Sequence, residues 1–303
     1  MPAKAGGRGQ ANLQINALKC LKENDPDPMP DAVNETSSLP ARGWADVRWS
    51  ELPAGAAARW IAVLPLAATE QHGPHLPLET DTLIAEAYLA RTMELLPASL
   101  PVTFLPIEEV GLSIEHTDFA GTRTLTTEGA LAAWMGIGAD IAGRGLRKLV
   151  MVTSHGGNSA AMMLVAQELR ARFGLLAVTT NWHRFGQPPG LFSDSEIRHG
   201  IHGGAIETSI MLAAFPDQVQ KSLIANFEPA SLTFEANYRY LSTHRPAPFA
   251  WQAQDLHPSG AMGDATQASA DKGRLLIDHG AAAFCELLAD VDRFDLSALR
   301  PGP

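Results

Sequence analysis

From residue 60 onward, apolar runs alternate with amphipathic stretches. Residues 60–68 (WIAVLPLAA) form a short continuous apolar run, strand-like in length and ending in small residues. Residues 82–90 (TLIAEAYLA) space their apolar positions as a helix does, and that helix is expected to run to about residue 96. Residues 102–106 predict a second strand, and Thr126 or Thr127 opens a helix to about residue 144. Residues 148–153 (KLVMVT) predict a third strand, buried on both faces. A helix over 159–173 follows, with Met162, Val165 and Leu169 on one face, then a fourth strand over 175–180. Further helices are expected at about 203–214 and 265–291, with an irregular stretch between them to about residue 263. Residues 45–56 predict a short leading helix that includes the alanines near Ala56. Strands that alternate with helices predict an α/β fold: a three-layer sandwich with a mostly parallel central sheet.

Residues 1–42 differ in composition, being rich in Gly, Ala, Pro, Asn and Asp, and read as a flexible N-terminal extension with one short helix over 12–22. Residues 43–303 then read as a single domain. Of the 303 residues, 46% are hydrophobic and 18% charged, enough apolar surface for a substantial core. The net charge of −10 argues against nucleic acid or an anionic membrane as partner. No stretch is apolar enough to span a bilayer, and the N-terminus lacks the apolar core of a secretory signal. The two cysteines, Cys20 and Cys285, are not expected to pair, which fits a cytoplasmic protein.

The chemistry concentrates in residues 70–81 (EQHGPHLPLETD), between the first strand and the helix after it. Open α/β sheets bind ligands at the carboxyl ends of their strands. Carboxylate oxygen with imidazole nitrogen suits zinc, manganese or iron better than calcium or magnesium. Glu70 and His72 point the same way if the segment is extended, and Asp81 can either cap the helix or bridge two metals. A second turn, Ser154-His155-Gly156-Gly157-Asn158, follows the third strand and aims His155 at the same sheet edge. His202 and Glu207 lie five apart across a helix start, so both can reach one pocket; the competing roles are a loop histidine and a first-turn carboxylate favoured by the helix dipole.

The stretch AATEQHGPHLPLETDTLIAEA, followed in order by GLSIEHTDFAGTRTL, VTSHGGNSAAM, HGGAIETSIMLAAFP and GAMGDATQASADKG, resembles the creatininase (creatinine amidohydrolase) family over roughly residues 44–292. By that resemblance Glu70, His72, Asp81 and His155 match the family's metal ligands, with Asp81 as the bridge between one or two divalent ions (zinc, manganese or iron). Creatinine-hydrolysing members carry a further carboxylate where this chain has Gly157; Glu207 is the candidate replacement. His202 matches a histidine at the substrate and is a candidate acid/base, with Glu207 the alternative donor of a proton to the leaving nitrogen. Ser113 matches a pocket segment and could bond a substrate carbonyl; Glu115 and His116 could support the ligands. Arg198 and His199, candidate substrate-binding residues, replace a Trp–Asp pair of the creatinine-hydrolysing members, which weakens creatinine as substrate and suggests an anionic or more polar one. Trp182 could form a pocket wall or sit in the core.

The resemblance implies a metal-dependent amidohydrolase acting on a small cyclic amide or formamide, in a homo-oligomer that is often a hexamer in relatives. Two alternatives stand beside it: a creatininase-like protein of cofactor biosynthesis or peptide maturation, and a non-catalytic metal-stabilised binding module.

Overall fold

The computed structural model describes residues 39–48, 52 and 56–300. The extension up to residue 38, the helix expected over 12–22 and Cys20 fall outside the described residues. Arg42, at the expected end of the extension, is already tied to the domain: its guanidinium donates to the carbonyls of Pro97, Leu100 and Val102.

Four strands, β1 (Ile61–Leu66), β2 (Val102–Phe104), β3 (Lys148–Thr153) and β4 (Leu176–Asn181), form a parallel sheet in the order β2-β1-β3-β4. Ile61 stands beside Val102 and Lys148, and Thr153 beside Leu66 and Asn181. Pro65 sits in an inner strand, where its missing N–H would ordinarily break a ladder. It is tolerated because β2 has ended at Phe104, and the carbonyl of Pro65 accepts from Glu108 in the loop beyond.

The helices are α1 (Thr80–Leu95), α2 (Thr127–Gly143), α3 (Ser159–Phe173), α4 (Asp194–His199), α5 (Ala205–Ala214), α6 (Ser231–Asn237), α7 (Ala253–Leu256) and α8 (Ala270–Arg293). Strand residues alternate between two cores, as a period of two requires. Ile61, Val63, Val150 and Val152 pack with Ile84 and Tyr88 of α1, Ile210 and Met211 of α5, and Phe284 and Leu288 of α8. Ala62, Leu64, Leu149 and Met151 pack with Trp134 and Ile141 of α2 and Met162, Val165 and Leu169 of α3. The result is the expected three-layer sandwich. Each fully buried aliphatic side chain contributes about 1.5–3 kcal/mol. These two cores hold the sheet, and the loops at its carboxyl edge are free to carry polar groups.

The region expected to be irregular up to residue 263 contains α6, α7 and three short strands, β5 (Asn226–Phe227), β6 (Leu241–Ser242) and β7 (Ala247–Pro248). β5 pairs with β8 (Gly263–Asp264), and β6 with β7. Two helix starts differ from expectation. α5 begins at Ala205 because Gly203 has φ +62°, outside the helical range. α8 begins at Ala270, where Ser269 Oγ accepts from the N–H of Lys272 as an N-cap. α4 was not expected, although Ser193 caps it by accepting from the N–H of Glu196.

Candidate metal centre

The loops leaving β1 and β3, the turn before α5 and the first turns of α1 and α5 bring six polar side chains together. Glu70, His72, Asp81, His155, His202 and Glu207 are all at most 7% exposed. Three groups among the described residues are close enough to hold a metal ion: Glu70, Asp81 and His155; His72, His202 and Glu207; and Glu70, His116 and His202. Asp81 lies between the first two. Its Oδ2 is 3.7 Å from His72 Nε2 and 3.8 Å from His155 Nδ1. His72 Nε2 is 3.9 Å from Glu207 Oε2, and His155 Nδ1 is 3.0 Å from Glu70 Oε1.

The helix-cap role for Asp81 does not hold. Glu79 occupies the N-cap of α1 without a side-chain cap bond, and both Asp81 oxygens are buried without a hydrogen-bond partner. Both Glu70 oxygens and His72 Nε2 are also without one. Buried polar atoms are rarely left unpaired. Five of them on three neighbouring side chains fit a site for one or two cations. The imidazoles are set for it: His72 Nδ1 donates to Glu70 O at 3.1 Å, and His155 Nε2 donates to Leu112 O at 2.6 Å. His72 Nε2 therefore faces the cluster as a lone pair, and His155 Nδ1 does so once its proton is displaced, both rings being held by backbone carbonyls in the usual manner of metal-ligating histidines.

Position 157 has no room for the carboxylate of creatinine-hydrolysing relatives. A Cβ there would overlap His155 Nε2 and lie 2.5 Å from Leu112 O and 2.7 Å from Glu115 Oε1. Glu207 instead enters from α5. Its Oε2 accepts from the N–H of Gly203 at 2.6 Å, so it stabilises the helix start and faces His72 as well. Ser113 is fully buried with its Oγ unpartnered, while its N–H donates to Thr124. Trp182 is core, not an open wall: it is 2% exposed, stacks on Tyr88 at 4.5 Å and meets Phe284 edge-on at 4.8 Å. Arg198 and His199 are not brought into the cluster. Arg198 pairs with Glu235 at 2.7 Å, and His199 is held by Ser231 and Glu235, each at 2.9 Å. Each is occupied by α6, so the substrate-binding role expected from the Trp–Asp replacement gains no support from this geometry.

Three contributors escaped the sequence reading. Gln71 bonds two histidines of the site. Asn158 clamps the 111–112 loop to the sheet edge, accepting from Leu112 N and donating to Ala67 O and Thr153 Oγ1. Glu196 holds the start of α5. For Glu196 the Ser193-x-x-Glu196 spacing was a capping-box signal, but its carboxylate is spent elsewhere.

The buried charges settle unevenly in the metal-free chain. Burial pushes Glu70 up, but the imidazoles of His155, His116 and His202 outweigh it and hold the carboxyl well below its usual range. Burial, reinforced by Glu70, raises Asp81 well above its usual value. For His155, burial is opposed and overcome by Glu70, Asp81 and Glu115, which raise it to about 10. At neutral pH His155 is thus a cation. A metal must displace the proton from His155 Nδ1, so binding is expected to release about one proton per chain and to weaken as pH falls from 10. Calorimetric titration of zinc in buffers of different ionisation enthalpy reads that release; a value near zero would show that His155 does not take the metal.

Residues 45–288 match the family model for creatinine amidohydrolase. The chain belongs to the creatininase family. It is a hydrolase of that family, and relatives show the breadth of the group. A mycofactocin precursor peptide peptidase from Mycobacterium ulcerans (strain Agy99) is 32% identical over 84% of this chain and 90% of its own length. A creatinine amidohydrolase from Pseudomonas putida is 27% identical over 77% and 90%. A crystal structure of creatinine amidohydrolase (creatininase) has the same fold, with TM-score 0.66 and 24% identity over 84% of this chain and 99% of that one. A manganese creatininase gives TM-score 0.64 at 23% identity over 82% and 98%, and another solved creatininase is of a Zn–Zn type. Among the described residues, no helix is long and apolar enough to cross a membrane.

Proposed function

We propose that this creatininase-family chain hydrolyses an amide C–N bond with water activated at a centre of one or two divalent metals, zinc, manganese or iron. The observation that carries this is the set of orphaned buried oxygens on Glu70 and Asp81, flanked by the ligand-ready nitrogens of His72 and His155. Glu70, Asp81 and His155 would hold one ion, and His72, Glu207 and Asp81 the other, so Glu207 supplies the carboxylate that Gly157 cannot. A bound divalent metal supplies a Lewis acid for the carbonyl and lowers the pKa of water. Ser113 offers a buried hydroxyl to a substrate polar group, and His202 moves protons beside Glu70.

The scissile amide on the first reading is that of a small cyclic amide or formamide. A second reading, a peptide amide of a cofactor-precursor peptide, is favoured by the higher identity to the mycofactocin precursor peptide peptidase than to the creatinine amidohydrolase. By resemblance we also take the chain to work as a cytoplasmic homo-oligomer, a state that light scattering reads directly.

Elemental analysis tests the centre. Native protein is expected to hold about two metals per chain and Glu207→Ala about one. Folded, metal-stripped protein should lose hydrolysis across a panel of lactams, formamides and short peptides, and regain it on adding metal. Equal rates before and after stripping would end the proposal, and the panel separates the two substrate classes.

A further inference from the structure

Beside the proposed metal ligands lies a pair of stacked imidazoles whose proton positions are dictated by one neighbour. His116 and His202 stack with ring centroids 4.2 Å apart, and His202 lies 4.1 Å from the ring of His72. Gln71 touches both. The orientation of its side-chain amide is fixed by two backbone groups. Oε1 accepts from Gly73 N at 2.8 Å, and Nε2 donates to Gly260 O at 3.0 Å. Gly260 has φ +78°, and a Cβ there would overlap the Gln71 amide, so the pocket for this side chain is built around it.

With the amide so fixed, Nε2 has one hydrogen left. It points to His116 Nδ1 at 2.7 Å and not to His202 Nε2, which is farther off at 3.3 Å. An amide N–H only donates, so His116 Nδ1 is an acceptor and the proton of the neutral ring is on Nε2. That Nε2–H faces Glu70 Oε1 at 3.5 Å, too long to be a good hydrogen bond, so the donor is unspent. His202 is held the other way. Its Nε2 lies 2.5 Å from the carbonyl oxygen of Gln71, which only accepts, so Nε2 carries the proton. His202 Nδ1 is left bare, 3.6 Å from Glu70 Oε1.

We propose that Gln71 is a positioning residue that sorts the two histidines into opposite roles at the cluster: His116 presents a fixed Nε2–H donor, and His202 a bare Nδ1 acceptor. The chemical use of this pair rests on the amidohydrolase reading. Water oxygen bonds to the amide carbon, and one water proton passes to His202 Nδ1. His116 Nε2–H donates to the carbonyl oxygen as it becomes an oxyanion, and keeps its proton. The C–N bond breaks, His202 returns its proton to the departing nitrogen, and the new carboxyl group loses the remaining water proton to solvent. His202 can then act as an acid only after acting as a base. The lone pair that His116 would need to bind a metal through Nε2 is absent, which argues against an ion at Glu70, His116 and His202.

The test reads protons directly, without turnover. The zinc-loaded full chain is labelled with ¹⁵N-histidine, and two-bond ¹⁵N–¹H correlations are recorded, with His116→Gln and His202→Gln for assignment. Native protein should show the proton on Nε2 of both rings. Gln71→Glu replaces the donating amide by an accepting carboxylate of the same shape. It should protonate His116 Nδ1 and leave His202 unchanged, since a backbone carbonyl holds the latter. A native His116 with its proton on Nδ1, or a His116 Nδ1 that stays bare in Gln71→Glu, overturns the proposal. If Gln71→Glu does not fold, Gln71→Met is expected to lose the single His116 tautomer; retention of Nε2–H alone overturns it equally. Because no substrate is needed, a failed amide screen would refute the hydrolytic reading and leave this result standing or falling on its own.

Discussion

Asp81→Asn is expected to abolish metal binding and hydrolysis while leaving the metal-free protein at least as stable as before. The carboxylate lies within 4 Å of both His72 Nε2 and His155 Nδ1, so both proposed metal positions share it. Metal content should fall from about two to below one per chain. Lewis-acid stabilisation worth several kcal/mol goes with it, and at 1.36 kcal/mol per decade that is a loss of about 10³-fold or more in kcat. The metal-free protein should respond differently. Asp81 is buried beside Glu70 and Glu207, with neither oxygen hydrogen-bonded. Replacing an uncompensated buried acid by a neutral isostere removes a burden. Its melting temperature should therefore hold or rise, and should stop responding to added zinc. Were Asp81 merely a helix cap, its loss would cost about 1 kcal/mol, a fall of about 2–4 °C in the metal-free protein. Thermal melts with and without zinc distinguish the two.

The parts of this centre that were legible in the sequence are those whose meaning is local. Glu70, His72 and Asp81 lie within twelve residues, directly after a run apolar enough to be a strand, and His155 follows a second such run. Strand lengths and the loops between them could be read because both faces of β1 and β3 are buried and their residues had to be apolar. What stayed hidden depends on partners distant in the chain. Gln71 looks like any loop glutamine until it meets Gly260, 189 residues away. Asn158 bonds the N–H of Leu112 across 46 positions. Trp182 could be wall or core until Tyr88 of α1 and Phe284 of α8 enclose it. Gly157 shows that a carboxylate is missing, but only the packing of Leu112 and Glu115 shows why none can be put back there. Periodicity locates elements; it does not report which backbone N–H or C=O a distant polar side chain will satisfy.

Glu196 carries the second large effect, and it acts through backbone alone. Its carboxylate accepts from Ala205 N at 2.6 Å and from Asp264 N at 2.7 Å, joining the first turn of α5 to β8. Gly200, Gly204 and Gly263 leave it room; a Cβ on any of them would run into its oxygen. The segment it pins is the one that delivers His202, which forms a bridge with Met262, and Glu207 in the first turn of α5. Glu196→Gln keeps the shape but turns one oxygen into a donor facing an N–H. The loss of a charge-assisted bond and one unsatisfied buried donor cost about 3 kcal/mol together, which lowers the melting temperature by about 6–12 °C. The metal readout distinguishes positioning from plain destabilisation. Glu70 and His155 are carried by the loops after β1 and β3 and Asp81 by the first turn of α1, whereas the bonds of the Glu196 carboxylate go to α5 and β8. One metal should therefore remain, while the one held by His72 and Glu207 is lost. A variant that melts early yet keeps both metals would mean that the Glu196 carboxylate secures the fold but does not place α5 for the centre.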